Sequence, residues 1–417
     1  MKSIIKLLFF AACVGLFAGC EKDELIPDQN DPMLKKAVKV MVQPCSSADV
    51  LTKAETDWQN ISEALQNAEP GTTVQLAAGT FYLQKSVVCW DFNGMLKGAG
   101  IGKTIIRTAP GMLFDVSDCP PVNWSFEDNN GSFFIAFPHN YFEGERTVGV
   151  SDLTIIVDEP TDREANQTQN RNSLHGIMVY NIDLDNDRDH LINLNVNYKN
   201  LSLVGEDDPV YNYNGYSLFS GISAYGYSNG IFEAKNVAVE NASGCVKPHA
   251  FYGPDAKVVI KNCHFNNCYH GVFAFYDHSW TIQNNRIENS EQALALLKRG
   301  PKNDNPWEGI VVPNGLTYIK NNRIEFEGTD AMGIGLRYVA NAEIKDNVVE
   351  GSSGKYGGIV SLGGNNWIIK DNNLCGVSTK PIYLLFSSNF EIQNNYNQVI
   401  TPVACSDLVI GEGYECE

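Results

Sequence analysis

The chain has 417 residues, 43% of them hydrophobic, and a formal net charge of −18. That length suits about ten or more stacked repeats in one elongated unit rather than two domains. The charge argues against non-specific binding to nucleic acid or to an anionic surface, and it weighs against, without excluding, a polyanionic glycan.

Lys2 and Lys6 precede an apolar run over residues 7–17, and Ala18-Gly19-Cys20 supplies a small-residue cleavage site. Residues 1–19 therefore read as a signal peptide. They resemble a bacterial lipoprotein signal in which Cys20 is the lipidated mature N-terminus, with Phe17 where Leu is usual. An ordinary secretory signal is the plainer alternative. Glu21-Lys22-Asp23-Glu24 is similar to the acidic signal that sends lipoproteins to the outer cell surface, or else is a solvated charge run. Residues 20–50, with Pro27, Pro32 and Pro44, read as a flexible tether from Cys20. No later stretch is apolar enough to span a bilayer, so membrane contact is expected through the lipid alone, at the outer membrane.

Residues 51–417 read as one repeat domain. Helical apolar spacing over 57–68 ends at Glu69-Pro70-Gly71, before a strand at 73–76. Met95-Leu96-Lys97-Gly98 with Thr104-Ile105-Ile106 begins a second coil. Aromatic-rich interruptions at 118–146, 206–219 and 299–316 read as loops that wall a groove or shield a core edge. Asp183, Asp185 and Asp187 alternate as oxygen ligands for Ca²⁺ would, the one cofactor the sequence suggests. Arg188 breaks the EF-hand pattern there, which favours a solvated acidic turn.

The C-terminal half repeats one phrase: Val259-Ile260-Lys261-Asn262, Thr281-Ile282-Gln283-Asn284-Asn285, Tyr318-Ile319-Lys320-Asn321-Asn322, Glu343-Ile344-Lys345-Asp346-Asn347, Ile368-Ile369-Lys370-Asp371-Asn372 and Glu391-Ile392-Gln393-Asn394-Asn395. A second alternating run follows each of the first five, and period-two patterning means strands. So short a unit cannot close a core and must stack on its neighbours, with Asn or Asp laddering at the turn. With Ala77-Ala78-Gly79-Thr80-Phe81-Tyr82 after the helix, these features resemble the right-handed parallel β-helix proteins of the pectin-lyase-like superfamily, over about residues 55–400. The expected class is all-β, with an N-terminal capping helix.

Inward positions carry Ile, Val, Leu, Ala and Ser, so chemistry is sought on the outward face. Tyr180, Ser223, Tyr225, His249, Phe251, Phe273, Phe275, Asp277, Leu297, Arg299 and Arg337 fall in one stripe, aromatic at one end and cationic at the other. Sugar faces stack on rings, and guanidinium groups fork onto carboxylates. Tyr180, Tyr225, Phe251, Phe275 and Trp307 are the candidate substrate contacts. The resemblance implies enzymes acting on acidic polysaccharides by β-elimination or by hydrolysis. Elimination needs a base and a cation to hold enolate-like charge, so Lys298, Arg299 and Arg337, with His249 and Asp277, are the candidate catalytic residues. Hydrolysis needs two opposed carboxyl groups, and the stripe offers only Asp277 clearly. The expected function is therefore a cell-surface lipoprotein with lyase-like activity on extracellular uronate polysaccharide. The alternatives are a non-catalytic glycan-binding or adhesion protein, or a glycoside hydrolase. Among the cysteines, Cys405 with Cys416 is a plausible terminal staple, while Cys263 and Cys375 suit buried free thiols.

Overall fold

A computed structural model describes residues 38–109, 132–140, 142–157, 174–181, 192–207, 216–225, 228–249, 255–275, 279–297 and 315–416. Every paired strand runs parallel to a strand one coil away, the arrangement of a parallel β-helix. One coil shows the plan. Lys257–Lys261 leads through a turn into His264–Phe275, and these strands lie on Ser279–Gln283 and Arg286–Leu297 of the next coil. Farther along the solenoid the second strand divides, as Arg323–Gly328 and Met332–Arg337. Each coil thus contributes to three faces.

The core follows from the period-two pattern. Ile260, Ile282, Ile319, Ile344, Ile369 and Ile392 are successive partners, all buried, so each coil closes against an identical side chain. Burying one such residue stabilises by about 1.5–3 kcal/mol, which a single coil cannot obtain without its neighbours.

The paired Asn and Asp of the repeated phrase divide the work. The first of each pair, Asn284, Asn321, Asp346, Asp371 or Asn394, turns the chain with φ between 54° and 58°, a conformation Asn and Asp tolerate. The second is buried and forms the ladder: the side-chain amides of Asn285, Asn322, Asn347 and Asn372 each donate to Oδ1 of the next at 2.9 Å. Each also donates to a carbonyl of the preceding coil, as Asn347 does to Ile319 at 3.0 Å. Gln398 ends the row, its Oε1 accepting from both the backbone N–H and the side-chain amide of Asn395.

The N-terminal end is closed by a helix at Val50–Gln66, longer than the sequence spacing indicates. Asp49 caps it, accepting from the Thr52 N–H at 2.8 Å, and Ala54, Ile61 and Leu65 face the core. Buried Asp57 accepts from the backbone N–H groups of Cys45 and Tyr82, tying helix to first coil. The fold also begins before residue 50. Lys39–Val42, inside the stretch expected as tether, is a strand paired with Thr72–Leu76, because Val40 and Val42 extend the stacked rows of Val74 and Leu76.

Two expectations about cysteine are corrected. Cys416 bridges to Cys375, leaving Cys405 as a thiol, and Cys245 bridges to Cys268 one coil away. Stacking decides both pairings: strand Ile231–His249 lies in register on His264–Phe275, with Ala242 opposite Cys268, so Cys245 is a near neighbour. Cys263 is a buried thiol, as expected.

Candidate functional site

One face of the solenoid gathers unusual polar groups. Strands Leu174–Asn181 and Leu218–Tyr225 lie side by side, followed by the ends of Ile231–His249, His264–Phe275 and Arg286–Leu297. Register builds three rows across them. His175 is opposite Ser220, and beyond it Gly244, His270 and Gln292 are successive partners. In the next row Met178 is opposite Ser223 and Ser223 opposite Lys247. In the third, Tyr180 is opposite Tyr225 and Tyr225 opposite His249, while Phe275, Leu297 and Arg337 continue the outer edge.

Lys247 is the centre of this face. It is only 4% exposed, yet no carboxylate among the described residues forms an ion pair with it. Its Nζ donates to the Phe219 carbonyl at 2.9 Å and lies 3.5 Å from the centre of the Phe219 ring. Glycine makes this fit possible, because a β-carbon at residue 244 would overlap Lys247 Cε. The stem folds back through the notch between Ser220 and His270. Burial lowers the Lys247 pKa to about 7, so near neutrality a large fraction of the amine carries a lone pair.

The groups around it are held neutral as well. His175 Nδ1 is 2.6 Å from Ser220 Oγ, and Ser220 Oγ is 3.4 Å from Ser223 Oγ, which reaches the Ile177 carbonyl. Burial, then the Lys247 charge, hold the His175 imidazole well below its ordinary pKa, and the same two causes lower His270 to about 3. His270 Nε2 is 3.2 Å from Gln292 Oε1. The Tyr225 ring packs edge-on against His175 with centroids 6.0 Å apart, and burial pushes its hydroxyl pKa upward. The result is a potential base beside hydroxyl and imidazole groups that stay uncharged.

Of the residues expected from sequence, the register brings Tyr180, Tyr225 and His249 into one row, with Phe275 and Arg337 along the same edge. Tyr180 is 1% exposed and packs with Ala136 and Met178, so its ring is closed off from solvent. The strand is outward there, but its apolar side chains form a second buried cluster, which strict alternation does not reveal. Arg337 is exposed, with its guanidinium 5.3 Å from the Tyr338 ring centre. Cys20, Asp183, Asp185, Asp187, Phe251, Asp277, Lys298, Arg299 and Trp307 lie outside the described residues. Among the described residues no group of three His, Cys, Asp or Glu is disposed to hold a metal ion.

Sequence reasoning missed Lys247, His175, Ser220 and His270. Gly244, Cys245 and Val246 are the reason: Cys245 and Val246 both face the core, so the alternation slips by one residue. The available signal was a lysine stacked one coil after the outward Ser223.

Residues 210–305, which include Ser220, Lys247 and His270, match the family model described as "Right handed beta helix region". Solved structures match the chain at low identity. The chain is similar to the periplasmic alginate epimerase AlgG, at 10% identity and a TM-score of 0.48, over 90% of this chain and 84% of that one. It is similar to the A-module of mannuronan C-5 epimerase AlgE4 from Azotobacter vinelandii, at 14% identity and a TM-score of 0.42, over 86% and 93%. It is also similar to PfbA, a surface adhesin of Streptococcus pneumoniae, at 13% identity and a TM-score of 0.41, over 91% and 93%. No curated protein matches it in sequence.

Proposed function

We propose that the protein is a surface-anchored enzyme that cleaves uronate-containing extracellular polysaccharide by β-elimination, with Lys247 as its base. The observation that supports this reading is a buried lysine whose pKa is lowered to about 7, set among neutral hydroxyl and imidazole groups. An amine tuned to that range takes a proton efficiently at neutral pH. In the proposed step Lys247 removes the proton α to the uronate carboxylate, and the electron pair forms the new carbon–carbon double bond as the glycosidic C–O bond at the β-carbon breaks. Tyr225, kept protonated by burial, donates to the departing oxygen. Protonated Lys247 then lies where negative charge has developed on the carboxylate, and the neutral His175 and His270 add no competing charge.

Arg337, exposed farther along the outer edge, suits a carboxylate of the same substrate chain. Lipidation of Cys20 would hold the enzyme at the outer membrane, and loss of membrane association in Cys20→Ser is its test. Ca²⁺ stays a candidate cofactor through Asp183, Asp185 and Asp187, tested by adding chelator to the assay. A second reading, a non-catalytic glycan-binding protein, is favoured by the low exposure of Lys247. Incubation with uronate polysaccharides separates the two: ultraviolet absorbance from unsaturated ends supports the enzyme, while retention on glycan without product supports the binder.

A further inference from the structure

The geometry points to a second glycan-binding surface, a row of lysines beside the asparagine ladder that takes a linear anionic polysaccharide lying parallel to the solenoid axis. Lys199, Lys235 and Lys261 are successive partners, and after Gln283 so are Lys320, Lys345 and Lys370. Neighbouring coils are about 4.8 Å apart, so the row places ammonium groups at a regular short interval over much of the molecule. This surface does not depend on the role of Lys247.

Two features separate the row from an ordinary solvated face. Like charges directly opposite one another on adjacent strands destabilise a sheet, and this chain has only 31 Lys and Arg against 49 Asp and Glu. Scattered lysines would avoid that repulsion, yet six are stacked. Neighbouring carboxylates offset part of it: Lys235 pairs with Glu233 at 2.7 Å, Lys320 with Asp346 at 3.6 Å and Lys345 with Glu343 at 3.0 Å. Lys199, Lys261 and Lys370 have no such partner among the described residues, and Lys199 is exposed.

The interleaved carboxylates also select the kind of partner. A nucleic acid presents phosphates too densely for a row broken by Glu233, Glu343 and Asp346. A polysaccharide with one acidic group per sugar or per few sugars presents hydroxyls between its charges, and these donate to carboxylates while the acidic groups meet the lysines. Tyr318, half-buried with the Lys345 amine 5.7 Å from its ring centre, supplies an aromatic face at the same place. The overall negative charge of the protein then limits binding to polyanions that fit the row.

The test is binding of the full chain to oligogalacturonate, which carries only carboxylates, to heparin, which is rich in sulfate, and to neutral dextran, at low and at raised salt. A triple reversal on the row, Lys199→Glu with Lys261→Glu and Lys370→Glu, is compared with one off the row at exposed lysines, Lys39→Glu with Lys103→Glu and Lys257→Glu. Both change net charge equally, and thermal melts confirm that both remain folded. The expected result is salt-sensitive binding to an acidic glycan but not to dextran, weakened roughly tenfold or more on the row and less than about threefold off it. Preference for oligogalacturonate or heparin identifies carboxylate or sulfate as the recognised group. Equal weakening by the two triples, or no binding to either acidic glycan at low salt, overturns the proposal.

Discussion

Gly244 and Lys247 occupy one space: the missing side chain at 244 is the notch through which the Lys247 stem crosses to the Phe219 carbonyl. Gly244→Ala fills the notch with a methyl group and pushes the amine toward water. Its pKa should rise toward the ordinary lysine value, and the pH–rate profile should shift upward with it. At neutral pH the rate should fall by roughly tenfold or more, since the base is then mostly protonated. Reaction of the Lys247 amine with an acylating reagent across pH reads the same shift without substrate.

Lys247 also carries a stability cost with a definite sign. Its pKa falls from 10.5 to about 7 on folding, so between those values the unfolded chain holds the extra proton and stability rises with pH. At neutral pH the opposing contribution is on the order of several kcal/mol. Lys247→Met, which keeps the stem and removes the amine, should therefore melt at a higher temperature than the parent while losing activity. Calorimetry and the absorbance assay on the same sample check both halves.

The buried histidines give the same trend in acid. His139 is lowered to about 4 and His270 to about 3, each chiefly by burial, from 6.5. The unfolded chain binds protons first as pH falls below about 6.5, so these groups lose the protein stability from there down to about pH 3. Urea midpoints measured across that range should decline, and His270→Gln should lessen the decline.

Removal of a ladder residue should cost more within the row than at its end. Asn347→Ala strands the Ile319 carbonyl and the Asn322 N–H inside the core, a loss of about 2–5 kcal/mol. Gln398→Ala removes the terminal acceptor where solvent is near, and about 0.5–1.5 kcal/mol is expected. Urea denaturation of both variants orders the two costs.

Much of this fold was legible because its rules are local and repeat. The Ile-Lys-Asn-Asn and Ile-Lys-Asp-Asn phrases show period-two strands, a left-handed turn and a buried amide together, and they recur at a spacing that only stacking explains. The row of Tyr180, Tyr225 and His249 followed from the same alternation. The site around Lys247 did not, because Cys245 and Val246 both turn inward and shift the parity. The Cys375–Cys416 bridge was hidden because it joins positions 41 residues apart that only the stacked coils bring close. Lysine stands at the same place in four of the six repeated phrases, but only register shows that the lysines align.

The most direct test of the central claim is ultraviolet absorbance during incubation of the soluble chain with a panel of uronate polysaccharides, comparing the parent with Lys247→Met. The account predicts that absorbance from unsaturated ends grows with the parent on at least one substrate and is lost, by roughly a hundredfold or more, with the folded variant. Elimination that continues unchanged in Lys247→Met would contradict it.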